Sequence, residues 1–436
     1  MSKFRKGIIT SMLVLLLSSV STSFLMIKQP VQAATVSTVT TINEPQINAS
    51  AGIAVDVNHG KVLFAQDANK PLPIASLTKL LTIYVVLKQI KQGKLSWDHK
   101  VSPTPSLSAL SHNSQCTNVP LQMNQQYTVR QLYQASLIYS ANAAVMLLAQ
   151  AAAGSQTAAI KLMRQQAKQW HLKDVTLDNT CGLNNSFLGN DRYPHSATNA
   201  ENKMTAQDVA IIARHLIRDF PEVLQTSHTV STTFNDGNTN VPMKNWNLML
   251  PGQKYADNKL KVDGLKTGTS DAAGACFAGT MPLSHHNRLI TIVLHANGSD
   301  ELGKRFIVTN ELMKYVINNW HEQPVLITNH ANKHLQAINV PNGKQTRLAV
   351  VPQQDVNIWV YKQQPLNVKY HQVNIHKTFD APLKQNTVVG KMIVTNNDNL
   401  GYLPDAQLPQ TKIVTAHRDL KANLFVRMWR KICTWF

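Results

Sequence analysis

The chain has 436 residues, with 43 Lys and Arg against 24 Asp and Glu, a formal charge of +19, and 43% apolar side chains. That apolar share excludes a disordered polyelectrolyte, and the length allows two domains with separate cores. The basic balance suits an anionic partner, whether nucleic acid, acidic phospholipid or acidic wall polymer. Four cysteines (Cys116, Cys181, Cys276 and Cys433) are too few for a disulfide scaffold in a chain this long. One bridge among the first three is compatible with the sequence, and so are three unpaired thiols.

Lys3, Arg5 and Lys6 precede an apolar stretch from Ile8 to Ile27, and Val31-Gln32-Ala33 follows with small residues where a signal peptidase cuts. The expectation is a signal peptide over 1–33. An uncleaved anchor is the alternative, because the stretch is long enough to cross a bilayer. Either way the bulk of the chain is exported, and nucleic acid is not an expected partner. Residues 34–48, rich in Thr, Ser and Asn with Pro45, read as a linker.

A hairpin follows, with Ile53–Val57 alternating, Asn58-His59-Gly60 turning and Lys61–Phe64 returning. Helices are expected from Ala75 to about Gln92, from Thr128 (where Thr128-x-x-Gln131 is a capping box), from Ala143 to Ala153, and from Thr205 to Arg218. Leu260–Thr269, Gly274–Met281 and Arg288–His295 read as strands, and Ser299 to Trp320 as a closing helix. Strands at both ends with helices between imply an α+β domain, an antiparallel sheet covered by helices, over 49–322. Short Val/Ile/Leu runs among Pro, Gly, Asn and Gln then predict a small all-β domain over 323–416, without a titratable cluster and therefore a scaffold.

Residues 417–436 differ again. From Leu424 a helix carries Leu424, Phe425, Met428, Trp429, Ile432, Trp435 and Phe436 on one wide face, with Asn423, Arg427, Arg430, Lys431 and Thr434 opposite. A basic amphipathic helix rich in aromatics suits the interface of an anionic membrane. Docking on the protein's own core is the alternative.

Three short motifs carry chemistry. Ser76-Leu77-Thr78-Lys79 sets a serine and a lysine on one helix face at its N-terminus, and it is the sole Ser-x-x-Lys in the chain. A neutral Lys79 amine can take the Ser76 proton, given burial and a neighbouring cation to lower its pKa. Ser140-Ala141-Asn142 offers a hydroxyl to relay a proton and a carboxamide to orient a peptide; Ser111-His112-Asn113 has the same spacing but lies in a polar stretch. Lys266-Thr267-Gly268-Thr269, on a strand, offers an ammonium and two hydroxyls to a carboxylate, with Gly268 leaving room for close approach to the backbone.

In this order the three motifs resemble the Ser-x-x-Lys, Ser-x-Asn, Lys-Thr-Gly set of the penicillin-recognising serine enzymes. Asp56-x-x-x-Gly60-Lys61-Val62-Leu63, Asn179-x-x-Gly182-Leu183, Thr205-Ala206-x-Asp208 and Val262-Asp263-Gly264 extend the resemblance to low-molecular-mass penicillin-binding proteins of the D-alanyl-D-alanine carboxypeptidase class. Ala143 departs from that pattern, which has an acidic residue there. Asn179–Gly189 lacks the glutamate with which class A β-lactamases deacylate.

The resemblance implies a penicillin-binding/β-lactamase-like transpeptidase fold, a C-terminal β domain and a membrane-anchor helix. It implies that Ser76 attacks between two terminal D-alanines of a peptidoglycan stem peptide, with Lys79 as base and Ser140 passing a proton to the leaving D-alanine. Backbone N–H groups of Ser76 and Thr269 would hold the oxyanion, Asn142 the peptide amide, and Lys266, Thr267, Gly268 and Thr269 the carboxylate end. β-Lactams would acylate the same serine. No metal or cofactor is expected, and the protein would sit at the outer face of the cytoplasmic membrane. An endopeptidase, a transpeptidase, a β-lactamase or a non-catalytic wall-binding protein are the alternatives.

Overall fold

A computed structural model describes residues 39–283, 287–297, 301–362, 364–373 and 378–433. The expected signal peptide, Trp435 and Phe436 lie outside them. Chain 39–436 forms one compact unit. Its central sheet takes β1 (Ala49–Asp56) and β2 (Val62–Gln66) from one end of the sequence. From the other end it takes β5 (Gly264–Ser270), β6 (Gly274–Pro282) and β7 (Arg288–Ala296). The order is β2-β1-β7-β6-β5 with antiparallel pairing throughout, so β5 is an edge.

Both faces of this sheet are covered, which is why β1 and β7 are apolar almost without interruption. On β7, Ile290, Ile292 and Leu294 enter the larger core, while Leu289 and Val293 enter the other. The larger core is built with α1 (Thr78–Lys91), α2 (Val129–Ile138), α3 (Asn142–Ala153), α4 (Gln156–Gln169) and α5 (Ala206–Asp219). The other face packs against α6 (Glu301–Asn319) through Phe306, Leu312 and Met313. The capping boxes of α2 (Thr128/Gln131) and α5 (Thr205/Asp208) are both present. Strand β5 begins at Gly264 and not Leu260, because Leu260 and Val262 turn into the α6 side of the core.

The sequence reading does not give α4 or the hairpin of β3 (Ser231–Asn235) and β4 (Asn240–Lys244). Both are polar on their outer face and draw their order from packing. Residues 40–48, read as linker, are not free chain. Ile42 and Ile47 are buried and Thr40 bridges Asp398; two isoleucines in a polar run outweigh its composition.

The C-terminal module begins with β8 (Trp320–Leu326), paired with β10 (Val356–Tyr361). A four-stranded sheet follows in the order β9 (Val350–Pro352), β13 (Gln410–Thr415), β12 (Val388–Asn396) and β11 (Val368–Val373). It has its own core of Leu326, Val356, Met392 and Ile413.

The module also contributes charge to its junction with the peptidase domain. Its Asp398 reaches the fully buried Lys61 at 2.9 Å, and its Asp405 reaches the fully buried Arg214 at 2.7 Å. Burial lowers the Lys61 pKa, and the Asp398 carboxylate works against that shift. Beside this pair, burial raises the Glu44 carboxyl to about 7. The module is thus fixed to the peptidase domain by paired buried charge.

The last helix, α7 (Leu424–Cys433), turns its apolar side chains outward: Phe425 is 82% and Trp429 66% exposed. The Arg430 guanidinium donates to the carbonyls of Pro341 (3.2 Å) and Gly343 (2.7 Å). Among the described residues no single helix is long and apolar enough to cross a membrane.

Candidate active site

Ser76 sits in a tight turn, Ala75–Leu77, that leads directly into α1. The turn needs Ala75 in the left-handed region (φ 45) and is wedged against β5. Gly268 makes this approach possible, for reasons other than those read from sequence. A Cβ there would lie 2.8 Å from the Ile74 carbonyl oxygen and 3.2 Å from the Leu77 nitrogen. The bare backbone therefore serves the packing of the strand on the serine turn.

Three residues on, at the start of α1, Lys79 is fully buried and its ammonium donates to three acceptors. These are Ser76 Oγ (2.8 Å), Asn142 Oδ1 (2.7 Å) and the Cys181 carbonyl (2.7 Å). Burial lowers its pKa to about 8, with the nearby thiols of Cys181 and Cys116 opposing the shift. A lysine so placed shares its proton readily near neutral pH.

The loop that supplies the Cys181 carbonyl explains the Asn179-x-x-Gly182 pattern. Asn179 Oδ1 accepts from Cys181 N (3.2 Å) and Gly182 N (2.6 Å), closing the turn. Gly182 has φ +84, and a Cβ there would lie 1.9 Å from the Ala75 carbonyl oxygen. Only glycine lets this loop reach the serine turn.

Ser140 lies at the turn between α2 and α3 in the left-handed region (φ 64) and lines the same cleft as Ser76. Asn142, read as a ligand for the peptide amide, is engaged at both ends. Its Oδ1 takes Lys79, and its Nδ2 donates to the Thr117 carbonyl at 2.9 Å. In this arrangement it orients the lysine. Ser111, in the duplicate Ser-x-Asn, is buried at a helix end, where its hydroxyl donates to the Ser108 carbonyl and accepts from Leu121 N.

On β5, Thr267 and Thr269 line the cleft, while Lys266 lies behind it and donates to the Thr267 carbonyl at 3.0 Å. Burial, then the charges of Lys79 and Arg305, pushes the Lys266 pKa well below the ordinary lysine range. Ser76, Ser140, Thr267 and Thr269 thus share one wall system, and Lys79, Asn142, Lys266 and Gly268 stand behind it.

Arg305 of α6 completes the site, and no motif announces it, because a lone arginine on an amphipathic helix reads as solvated. It is 1% exposed. Its guanidinium donates to the carbonyls of Gly268 (2.8 Å) and Cys276 (3.0 Å) and to Thr269 Oγ1 (2.7 Å). It borders a cleft of about 570 Å³ whose apolar walls include Tyr139, Trp246 and Leu248. Trp246 Nε1 donates to the Tyr139 carbonyl at 3.0 Å, tying the segment after β4 to the end of α2. The four cysteines are unpaired.

The chemistry available is acyl transfer. A serine hydroxyl bonds to a buried amine, a second hydroxyl lies across the cleft, and two threonines with a guanidinium stand ready for an anionic end. Comparison with known proteins points the same way. At 28% identity the chain aligns over 389 residues, 89% of each partner, with D-alanyl-D-alanine carboxypeptidase DacA of Haemophilus influenzae. The crystal structure of a peptidoglycan synthesis regulatory factor (PBP3) from Streptococcus pneumoniae superposes with a TM-score of 0.75 at 33% identity, covering 86% of this chain and 100% of that one. Penicillin-binding protein D2 from Listeria monocytogenes, solved in its cefotaxime-bound form, matches at 30% identity and TM-score 0.50 over 63% of this chain and 100% of that one. Residues 328–417 match the family model described as penicillin-binding protein 5, C-terminal domain. Residues 38–298 match the model described as D-alanyl-D-alanine carboxypeptidase, and the chain belongs to that family.

Proposed function

We propose that this serine carboxypeptidase removes the terminal D-alanine from peptidoglycan stem pentapeptides through an acyl-enzyme on Ser76. The observation that carries the reading is the 2.8 Å contact between Ser76 Oγ and the buried Lys79 amine, facing the Thr267–Thr269 strand. Lys79, once neutral, takes the Ser76 proton as the hydroxyl attacks the carbonyl between the D-alanines. The backbone N–H groups of Ser76 and Thr269 stabilise the oxyanion, each worth about 3–4 kcal/mol in comparable hydrolases. Ser140 delivers a proton to the departing amine, and water later frees Ser76. β-Lactams acylate the same hydroxyl. The peptidase domain spans 49–322 and the β domain 323–416, with β8 running across the boundary.

The carboxylate of the last D-alanine meets Arg305, Thr267 and Thr269, while Lys266 braces the strand through its bond to the Thr267 carbonyl. Arg305→Ala is expected to lower kcat/KM on free-acid peptides about 10–100-fold, as for loss of a charged hydrogen bond, with a much smaller loss on C-terminal amides. Equal losses on both substrates would remove Arg305 from carboxylate recognition.

α7 places the enzyme on the outer face of an anionic membrane. Its exposed Phe425, Trp429 and Ile432 support insertion at the interface. Arg430, bound to carbonyls of the β domain, is not available to headgroups in the way its position on the polar face suggests. Deleting 424–436 is expected to release the protein from anionic vesicles and leave turnover of a soluble peptide within about twofold, since α7 buries no residue in a core. Sedimentation of the truncated protein with vesicles would refute this placement.

A further inference from the structure

The peptidase cleft does not account for the charge of +19, and part of that charge lies in the C-terminal module. Residues 328–417 carry nine Lys and Arg against four Asp. Two of the four, Asp398 and Asp405, are turned inward and neutralised by Lys61 and Arg214. The outer surface of the module is left strongly basic.

The strand register gathers part of that charge on one face. Lys391 of β12 stands directly opposite Lys412 of β13. The next row is His371–Ile393–Gln410, and Lys369 lies beyond it, opposite Thr395. The intervening residues Met392, Val394, Thr411 and Ile413 are buried, so Lys369, His371, Lys391 and Lys412 share the outward face. Strands about 5 Å apart and residues about 7 Å apart along a strand put these groups in a strip roughly 10 Å across.

Like charges directly opposite each other weaken an antiparallel pair. None of the ion pairs among the described residues includes Lys369, Lys391 or Lys412. The face carries no Trp, Phe or Tyr, unlike α7, so it lacks what a lipid interface would take. A linear polymer with an anion at each repeat can lie along such a strip and neutralise several cations at once.

We propose that the outer face of β11, β12 and β13 binds a linear polyphosphodiester of the cell wall, with Lys369, Lys391 and Lys412 as its phosphate contacts. This rests on the proposed wall-peptidase activity: a wall polymer held on the strip would keep the peptidase domain among its stem peptides.

The probe is poly(glycerol phosphate), titrated into the full-length protein at several salt concentrations. Binding that weakens linearly in log–log form with salt is expected. In Lys369→Gln/Lys391→Gln/Lys412→Gln, affinity at low salt should fall at least about tenfold and the salt slope by about 2–3, one counterion for each lost contact. Hydrolysis of a soluble peptide should not change. A control, Lys94→Gln/Lys161→Gln/Lys168→Gln, removes equal charge from exposed positions of the peptidase domain and should bind nearly as wild type. Equal weakening in the control would mean diffuse attraction and overturn the site. An unaltered slope in the strip variant would do the same, and so would binding to anionic vesicles without binding to the polymer.

Discussion

Ser76→Ala is expected to abolish D-alanine release and penicillin labelling together, with kcat falling about 10⁴-fold or more, as when the nucleophile is removed from other serine hydrolases. The fold should survive, since the hydroxyl's bond is to Lys79, which keeps Asn142 Oδ1 and the Cys181 carbonyl as acceptors. Mass spectrometry of the intact protein after incubation with penicillin provides the test: one added acyl group on wild type and none on the variant. Labelling that persists in Ser76→Ala would move the nucleophile elsewhere. The pH profile separates the serine from its base. Because burial brings Lys79 to about 8, wild-type kcat/KM should rise as pH passes through about 8 and the amine loses its proton. Lys79→Arg would keep the charge but could not give up a proton in that range, so it should be inactive at every pH tested.

Asp398→Ala should produce the largest loss of stability of any single change at the domain junction. Lys61 is fully buried, and its ammonium donates to Asp398 Oδ1 (2.9 Å) and to the carbonyls of Val62 (2.7 Å) and Gly401 (3.0 Å). It also stands 5.0 Å from the Trp320 ring centre. The same carboxylate oxygen accepts from the backbone of Leu400 and Gly401, so it shapes the loop as well as the pair. Removing one partner of a buried ion pair costs about 3–5 kcal/mol, because the remaining charge is stranded. Replacing both with apolar residues costs far less, so Lys61→Met/Asp398→Leu should recover most of the loss. Denaturant unfolding of the single and double variants decides the matter. A single variant as stable as wild type would show that the pair does not fasten the module.

Much of this protein is visible in one dimension. The capping box at Thr128 and the turn at Gly60 are local, and local rules find them. Ser76 and Lys79 are three residues apart where a tight turn runs into α1, so their contact is local too. Asn179 and Gly182 resemble a family pattern in sequence, but their role in closing the loop that holds Lys79 emerges only when residue 181 meets residue 79. At Gly268 the sequence shows a position without a side chain, but the turn that its Cβ would strike lies nearly two hundred residues earlier and is found only in the fold.

By itself the sequence determined the order of the principal helices and of the central strands, the α+β class, the three motifs and the amphipathic tail, because each depends on periodicity or on residues within one or two turns. Only the tertiary structure decided that Arg305 joins the threonines of β5 at the cleft, that Asn142 serves the lysine, and that Lys61 and Arg214 find their carboxylates in another module. A charge on a helix or hairpin looks solvated until burial withdraws water from it. Whether burial occurs, and which opposite charge meets it there, depends on distant segments that packing alone brings together.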